Sequence, residues 1–420
     1  MLNPNDNDRL TQVGPGTPMG ELFRRFWTPA IVATELPEPD GAPLRIRLLG
    51  EDLVAWRNTD GSIGLMQNAC PHRGASMFFG RNEENGLRCV YHGWKFDAEG
   101  VCVDMPNEPA ESNFKHKIKA AAYAAAEWGG LIWAYMGPRD LQPELPQFEW
   151  CLVPESHRHV DRWQQDCSYM QALEGCIDTS HVSFLHRSLA PNPSITRRVV
   201  RPEGRADTSP MLTVQETDYG YAYGGRRNLT SGQFYWRITQ WLLPYFTLIP
   251  AMEWPRGGHC YVPIDDEHVW AFAYQYDPTA PLPEDVLEMY RKGAASTAKK
   301  VPGTLRTLAN RENDYLIDRA AQKTQSYSGI FGVRNQDIAM VESMGAIYDR
   351  TKEHLGTADL AIIAARRILL RMAAQLQAGV EPAAPRNAGA FRVRPLDVVD
   401  DEAELGRVID KYRSEMYVAP

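Results

Sequence analysis

The stretch Cys70–Phe96, CPHRGASMFFGRNEENGLRCVYHGWKF, brings a cysteine and a histidine together twice, as Cys70-Pro71-His72 and as Cys89-Val90-Tyr91-His92. Sixteen residues separate His72 from Cys89. Each short loop offers one soft thiolate and one imidazole, the mix that suits a metal cluster gripped between two hairpin tips. A Cys2His2 zinc site draws on the same inventory, but its spacing usually pairs Cys with Cys and His with His. Around the motifs, from about Trp27 to Pro138, the chain reads as short strands broken by turn pairs such as Asp60-Gly61 and Asn85-Gly86.

Two thiolates on one iron and two imidazoles on its neighbour are what a Rieske [2Fe–2S] centre requires, and that is the reading adopted. Such a cluster moves single electrons, so a centre that receives them is expected further along. Glu174–His186, EGCIDTSHVSFLH, supplies one. Cys167 to His186 reads as a helix, on which Asp178 and His181, three apart, are neighbours. His181 and His186, five apart, sit about 140° from each other around an ideal helix. They reach one metal only if that helix bends or ends there. Two histidines and a carboxylate on one face, with open positions opposite, form the site of non-haem Fe(II) oxygenases.

At 420 residues the chain has room for two cores. Gly137-Pro138 and the proline-rich Leu141–Pro146 mark a boundary between a cluster domain, 27–140, and a catalytic domain, 141–420. Residues 1–26 read as a helical segment packing on the catalytic domain, with Thr17 as N-cap, Pro18 in the first turn and Met19, Leu22, Phe23 and Phe26 on one face. The aromatic strand Phe234–Trp241, the strand Val269–Tyr276 and the amphipathic helix Asp359–Ala378, closed by Gly379, predict an α+β fold with an antiparallel sheet. The tail from Glu381 reads as surface wrapping, and Arg226-Arg227, after two glycines, as a turn. The net charge of −8 argues against a nucleic-acid partner. Five cysteines outside the cluster motifs (Cys102, Cys151, Cys167, Cys176, Cys260) make no disulfide framework. A polar Met1–Arg9 and the lack of a run of roughly 20 apolar residues predict a soluble, cytoplasmic protein without a membrane span.

With both motifs in view, the whole chain resembles the α-subunit of a Rieske non-haem iron aromatic-ring oxygenase. The resemblance rests on Cys70-x-His72 with Cys89-x2-His92 and on Asp178-x2-His181-x4-His186. Leu173-Glu174-Gly175 and Arg334-Asn335-Gln336-Asp337, followed by Glu342-Ser343-Met344-Gly345, place it nearest the phthalate dioxygenase-like branch. Many other branches carry an asparagine after the glutamate; Gly175 stands there here. The resemblance implies a catalytic domain of helix-grip type, a large antiparallel sheet covered by helices. It implies a Rieske cluster on Cys70, His72, Cys89 and His92 and a mononuclear Fe(II) on His181, His186 and a third ligand. Asp337 is the best candidate for that third position, with Glu342, Asp349 and Asp265-Asp266 as competitors. It further implies a ring of three subunits, or two such rings stacked as a hexamer, in which Asp178 links His181 to His92 of the adjacent chain. Pro71, Arg73, Gly74, Gly93 and Trp94 resemble positions that shape and shield the cluster loops.

Dioxygen and a small aromatic acid are the implied substrates: a phthalate, benzoate or phenoxybenzoate to be hydroxylated, or alternatively a methoxylated acid to be O-demethylated. A carboxylate substrate calls for an arginine fork, and Arg226, Arg227 and Arg237 are the candidates. No Gly-x-Gly-x-x-Gly fingerprint or further iron–sulfur motif is present, which predicts a separate NAD(P)H-dependent reductase carrying a flavin. Two rivals are an electron-transfer Rieske protein and a zinc-stabilised binding module. The first usually carries an extra cysteine in each loop, and neither loop has one.

Overall fold

Between Trp27 and Tyr135 the strands are short, and turns fall where small polar residues accept left-handed backbone. The computed structural model, which describes residues 2–190 and 207–419, has three small antiparallel sheets in this region. Leu44–Leu48, Glu51–Arg57 and Ile63–Gln67 form one, and four strands of two or three residues between Arg81 and Asp104 form another. Glu84 and Asn85, at φ +49° and +56°, reverse the chain between Arg81-Asn82 and Leu87-Arg88. Trp56, Met66, Met77, Trp94 and Phe96 pack around Cys70 and Cys89 as a separate small core. The third sheet, Trp27–Val32 with Leu131–Tyr135 and Ala124–Trp128, joins the main core, as does one face of the first through Ile46, Leu53 and Leu65; there Trp133 lies nearly parallel to Phe148 and Trp150.

The main core is built on an eight-stranded antiparallel sheet. Its strands are β1 (Arg158–Gln165), β2 (Met211–Thr217), β3 (Gly220–Asn228), β4 (Phe234–Leu242), β5 (Phe246–Ile249), β6 (Arg256–Pro263), β7 (Val269–Tyr276) and β8 (Leu396–Asp400). The order is β1-β7-β6-β5-β4-β3-β2, with β8 also pairing β4. Three helices matter for the site: α1 (Tyr169–Ile177), α2 (Val333–Ser343) and α3 (Leu360–Gln377), the last ended by Gly379 at φ +82°. Leu173 and Ile177 of α1, Ile338 and Val341 of α2 and Ala365 and Leu369 of α3 are buried in the main core, with Tyr221, Trp241 and Tyr261 of the sheet. The N-terminal segment pins α1. Thr17 Oγ1 accepts from Gly20 N at 3.1 Å to cap the helix Pro18–Phe23. Phe23 meets Tyr169 edge-on at 5.1 Å, and the Tyr169 hydroxyl donates to Leu10 O at 2.7 Å.

Three expectations need correction. The helix expected over Cys167–His186 stops at Ile177. Arg226-Arg227 is no turn but lies inside β3. The two glycines before it are required by packing: a Cβ on Gly224 would meet the Trp236 ring at 2.6 Å, and one on Gly225 the Thr179 methyl at 2.9 Å. The tail is more than wrapping, because β8 pairs with Phe234–Ile238 of β4. β5 pairs only Gln240–Leu242 on β4, so the first half of β4 offers unpaired backbone that β8 takes up. Leu396, Leu405, Val408 and Met416 are then buried with Trp236 and Ile238. Among the described residues, no helix is long and apolar enough to cross a membrane.

Candidate metal centres

The two cysteine loops share one backbone plan. Gly74 N donates to Cys70 O at 2.9 Å and Cys70 N to Ala75 O at 2.8 Å; Gly93 N donates to Cys89 O at 2.9 Å and Cys89 N to Trp94 O at 2.8 Å. Gly74 and Gly93 close the turns at φ +76° and +81°, a conformation that a Cβ would oppose. Counted from the cysteine, the histidine is second in one loop and third in the other, and the rings still meet, with His72 Nδ1 3.0 Å from His92 Nδ1. Trp94 stacks on His72 at 4.5 Å and donates to Asn107 Oδ1 at 2.7 Å. Burial, with the Cys89 thiol alongside, pushes the Cys70 thiol up to about 11. Such a thiol yields its proton to a bound cation, so metal uptake at this pair releases protons.

The donor geometry separates a cluster from zinc. Among the described residues, one trio of His, Cys, Asp or Glu donors converges to within 4.8 Å, and it is His181, His186 and Asp337. The four donors of the cluster loops do not gather on one point as tetrahedral zinc demands. They pair by type, thiol with thiol and imidazole with imidazole, which fits two irons bridged by sulfide.

At the converging trio, the end of α1 does the positioning. Asp178 is extended (φ −86°, ψ 114°), and its Oδ1 accepts from Ser180 N at 2.6 Å. That local bond competes with the helix and stops it. A 3-10 turn over His181–Ser183 follows, with Phe184 N and Leu185 N both donating to His181 O. The result sets His181 Nε2 3.1 Å from His186 Nε2, with the rings at 82°. Asp337, from the middle of α2, places Oδ1 3.2 Å from His186 Nε2 and 3.6 Å from His181 Nε2.

The outer nitrogens are also held. His181 Nδ1 is 3.3 Å from Asp178 Oδ2, and His186 Nδ1 is 2.6 Å from Gln336 Oε1. Gln336 in turn donates to Ile330 O at 2.8 Å, which assigns its oxygen to the histidine. Both imidazoles thus carry the proton on Nδ1 and turn a bare Nε2 toward the carboxylate, as metal-binding histidines do. Burial disfavours charge on His181, but Asp178 and Asp337 outweigh it and raise its pKa. Burial likewise opposes charge on Asp337, yet His186 and Arg334 hold its carboxyl far below the usual range. Two neutral-capable imidazoles and one carboxylate, fixed from behind, fit Fe(II).

The competing carboxylates have other partners. Glu342 accepts from Asp166 N at 2.9 Å and the Tyr315 hydroxyl at 2.7 Å. Asp349 caps a surface turn at Thr351, Asp265 pairs with His268 and Arg47, and Asp266 accepts from Val13 N. The arginines divide between faces of the sheet. Arg226 lies over the Phe234 ring at 4.5 Å and donates to Ala403 O, on the side away from Thr179, so it is no neighbour of the trio. Arg227 points to the trio's side and is buried. Its Nη2 donates to Thr179 O and its Nε to Asp207 O, both at 3.2 Å, while buried Nη1 has no hydrogen-bond partner among the described residues. Arg237, on the same face, donates to Pro250 O at 3.2 Å and stands 3.8 Å from Asp397. Sequence reasoning missed the grip of Gln336 on His186 and the place of Arg334, Tyr261 and His259 behind Asp337. The quoted Arg334–Asp337 motif contained two of these, but which helix face meets the trio follows only from the packing of α2.

Comparison with known proteins agrees with this geometry. Residues 26–121 match the Rieske [2Fe-2S] domain family, and residues 134–393 the family described as LigXa C-terminal domain like. The chain is 40% identical over 392 residues to the phthalate 4,5-dioxygenase oxygenase subunit of Pseudomonas putida, covering 90% of this chain and 88% of that protein. It is 40% identical to the 3-chlorobenzoate-3,4-dioxygenase oxygenase subunit of Comamonas testosteroni, with 88% of each covered. It is 32% identical to the 5,5'-dehydrodivanillate O-demethylase oxygenase subunit of a Sphingobium strain, over 96% of this chain and 88% of that protein. In fold it matches Pseudomonas putida NdmA (TM-score 0.61, 19% identity, 92% of this chain and 99% of that one). It also matches dicamba monooxygenase (TM-score 0.58, 20% identity, 85% and 98%). The two metal centres and the length of the match lead to one assignment: the chain belongs to the Rieske non-haem iron oxygenases, as an oxygenase subunit with a [2Fe–2S] cluster and a mononuclear iron, served by a separate electron-transfer partner.

Proposed function

We propose that this oxygenase subunit hydroxylates or dihydroxylates a small aromatic carboxylate, with iron on His181, His186 and Asp337 and the cluster on Cys70, His72, Cys89 and His92. The observation that carries the substrate class is Arg227. A guanidinium 1% exposed, bonded among the described residues only to two backbone carbonyls, has no carboxylate in hydrogen-bond contact there, and the Asp207 carboxylate favours its charge without bonding it. Burying a charge in this way is unfavourable unless an anion completes it. Thr179, whose carbonyl Arg227 holds, comes two residues before His181, so Arg227 lies on the side of the sheet that faces the proposed iron ligands. Arg237 is already near Asp397 and serves as a secondary anchor. Relatives named for phthalate, 3-chlorobenzoate and phenoxybenzoate all act on aromatic acids, which supports the same class.

When bound, the mononuclear iron supplies dioxygen activation and the cluster supplies electrons one at a time. The chain's own residues orient and exclude. Tyr221, Tyr223, Thr239 and Trp241 are buried on the sheet face that carries Arg227 and Arg237, and give an aromatic wall with few polar anchors. The partner is an NAD(P)H-dependent reductase carrying a flavin, and the subunit works as a trimer or a hexamer of stacked trimers in the cytoplasm. O-demethylation of a methoxylated acid is the second reading, favoured by the 32% identity to the dehydrodivanillate enzyme.

The test is product analysis with a panel of aromatic acids and such a reductase, in the original protein and in Arg227→Gln. Diol or phenol products support hydroxylation, whereas formaldehyde release supports the demethylase. Loss of a charge-assisted bond of about 1.5–3 kcal/mol predicts kcat/KM lower by roughly 10- to 100-fold, mostly through KM. An Arg227→Gln enzyme that turns over its acid unchanged removes the anchor.

A further inference from the structure

Arg334 lies one helical turn before Asp337 on α2 and is buried beneath the trio. Its Nη1 is 3.1 Å from Asp337 Oδ2 and 3.2 Å from the Tyr261 hydroxyl, and its Nη2 lies against the His259 ring, 2.8 Å from Nε2 and 3.2 Å from Nδ1. His259 Nε2 also stands 3.1 Å from Ser296 O, which holds the ring on β6. Burial, reinforced by the charge of Arg334, pushes His259 well below its ordinary pKa and keeps it neutral. Two uncharged groups on β6 thus fix the guanidinium from behind, and its charge is answered by Asp337. The carboxylate is divided between two tasks. Oδ1 faces the two Nε2 atoms, and Oδ2 is tied to Arg334.

We propose that Arg334 is a positioning residue that restricts Asp337 to binding the iron through Oδ1 alone, which keeps one more coordination position open for small ligands. The inference rests on reading His181, His186 and Asp337 as the iron ligands. A carboxylate on a divalent cation swings readily between one-oxygen and two-oxygen attachment. A buried guanidinium opposes the second mode by a directional, charge-assisted bond to Oδ2. It also sets a positive charge close to a dication, which weakens metal binding. The sign of the effect therefore distinguishes this role from a scaffolding one. A residue that merely holds a ligand in place loosens the metal when removed. One that withholds an oxygen and repels the cation tightens it.

The test uses the full chain with its cluster oxidised and diamagnetic. Arg334→Gln and Arg334→Lys are titrated anaerobically with Fe(II) against a competing chelator, then exposed to nitric oxide as a spectroscopic probe. Arg334→Gln is expected to bind Fe(II) more tightly by on the order of tenfold, within the range that partners of metal ligands control. Its nitric oxide complex should give an S = 3/2 EPR signal of changed rhombicity and lower occupancy. Lysine keeps the charge without the planar fork, so Arg334→Lys should fall between and recover part of the original signal. If Arg334→Gln does not fold, judged by cluster spectrum and thermal unfolding, Arg334→Lys carries the same comparison. Weaker or unchanged Fe(II) binding, or an unaltered nitric oxide signal, in a folded variant overturns the proposal. Asp337→Asn is the control: undiminished iron there refutes the ligand assignment itself, whereas iron loss there with no effect at Arg334 rejects only the role of Arg334.

Discussion

Asp178 has two partners. Oδ1 accepts from Ser180 N and ends α1, and Oδ2 stands 3.3 Å from His181 Nδ1. Its side chain remains 24% exposed, so it can also be reached from outside the chain, as a link to a neighbour's His92 requires. Burial opposes its charge, but His181 and the Ser180 amide hold its carboxyl below the usual range. Asparagine keeps the shape and an acceptor oxygen but removes the charge that raises the basicity of His181. Asp178→Asn is therefore expected to keep cluster EPR and iron content and to lose turnover by about 10- to 100-fold; full activity would remove the link. At this scale much was legible. Cysteine and histidine in pairs, and Asp178-x2-His181-x4-His186, announce chemistry because few other uses call for those residue types at that spacing. Arg227 was one of three candidates, and only the alternation of β3, which turns Arg226 to the far face, separates it from its neighbour.

The end of α1 determines whether His181 and His186 meet, and α1 is anchored by an ion network that no local pattern reveals. Glu174 Oε2 is 3.0 Å from Arg350 Nη2, its Oε1 is 2.6 Å from Arg366 Nε on α3, and Arg366 also pairs with Glu353. These partners lie 176 and 192 residues away. Such contacts are invisible to periodicity, which is also why a helix was expected through His186: residues 167–186 carry apolar positions enough, and the break comes from one side-chain bond at Asp178. Removing Glu174 takes the anion from buried Arg350, while Arg366 keeps Glu353, an effect of about 3–5 kcal/mol. In a chain of 420 residues, at about 2.1 cal/mol/K of unfolding entropy per residue, each kcal/mol moves Tm by roughly 1 °C. Glu174→Ala should lower Tm accordingly and release iron while leaving the cluster spectrum intact. The pH dependence has a definite sign. Burial works against charge on Glu174, but Arg350 and Arg366 prevail and lower its pKa. Its contribution is thus present above the unfolded value of about 4.3 and fades as pH falls toward the folded one. The Tm gap between the original protein and Glu174→Ala should narrow on acidification from neutral pH. A gap constant with pH would show that the carboxylate charge is not what holds α1.

Over the whole molecule, the two metal centres are each ringed by apolar side chains that the chain does not bury. Phe79, Val90 and Tyr91 stand out around the cluster loops, with Tyr91 58% exposed; Phe184, Phe331 and Met340 stand out on the segments that carry the proposed iron ligands, with Phe331 56% exposed. Exposed apolar patches of this kind mark interaction surfaces. Two different patches on one chain make a head-to-tail contact, which closes into a ring when the rotation permits. Such a ring would set the cluster of one subunit against the Asp178–His181 pair of the next, and electrons would then cross between chains. A mixing experiment decides this. Cys70→Ala removes the cluster and His181→Ala removes the iron, so each protein alone is inactive. Co-expressed in equal amounts, they would form rings in which about a quarter of the junctions join an intact cluster to an intact iron. Activity near a quarter of the original rate, per total subunit, is the expected outcome, and it should vanish when either partner also carries Tyr91→Glu with Phe331→Glu, which charges both patches. If transfer ran within one chain, no mixture of these two variants would recover any turnover, and Asp178 would have to act without a neighbour.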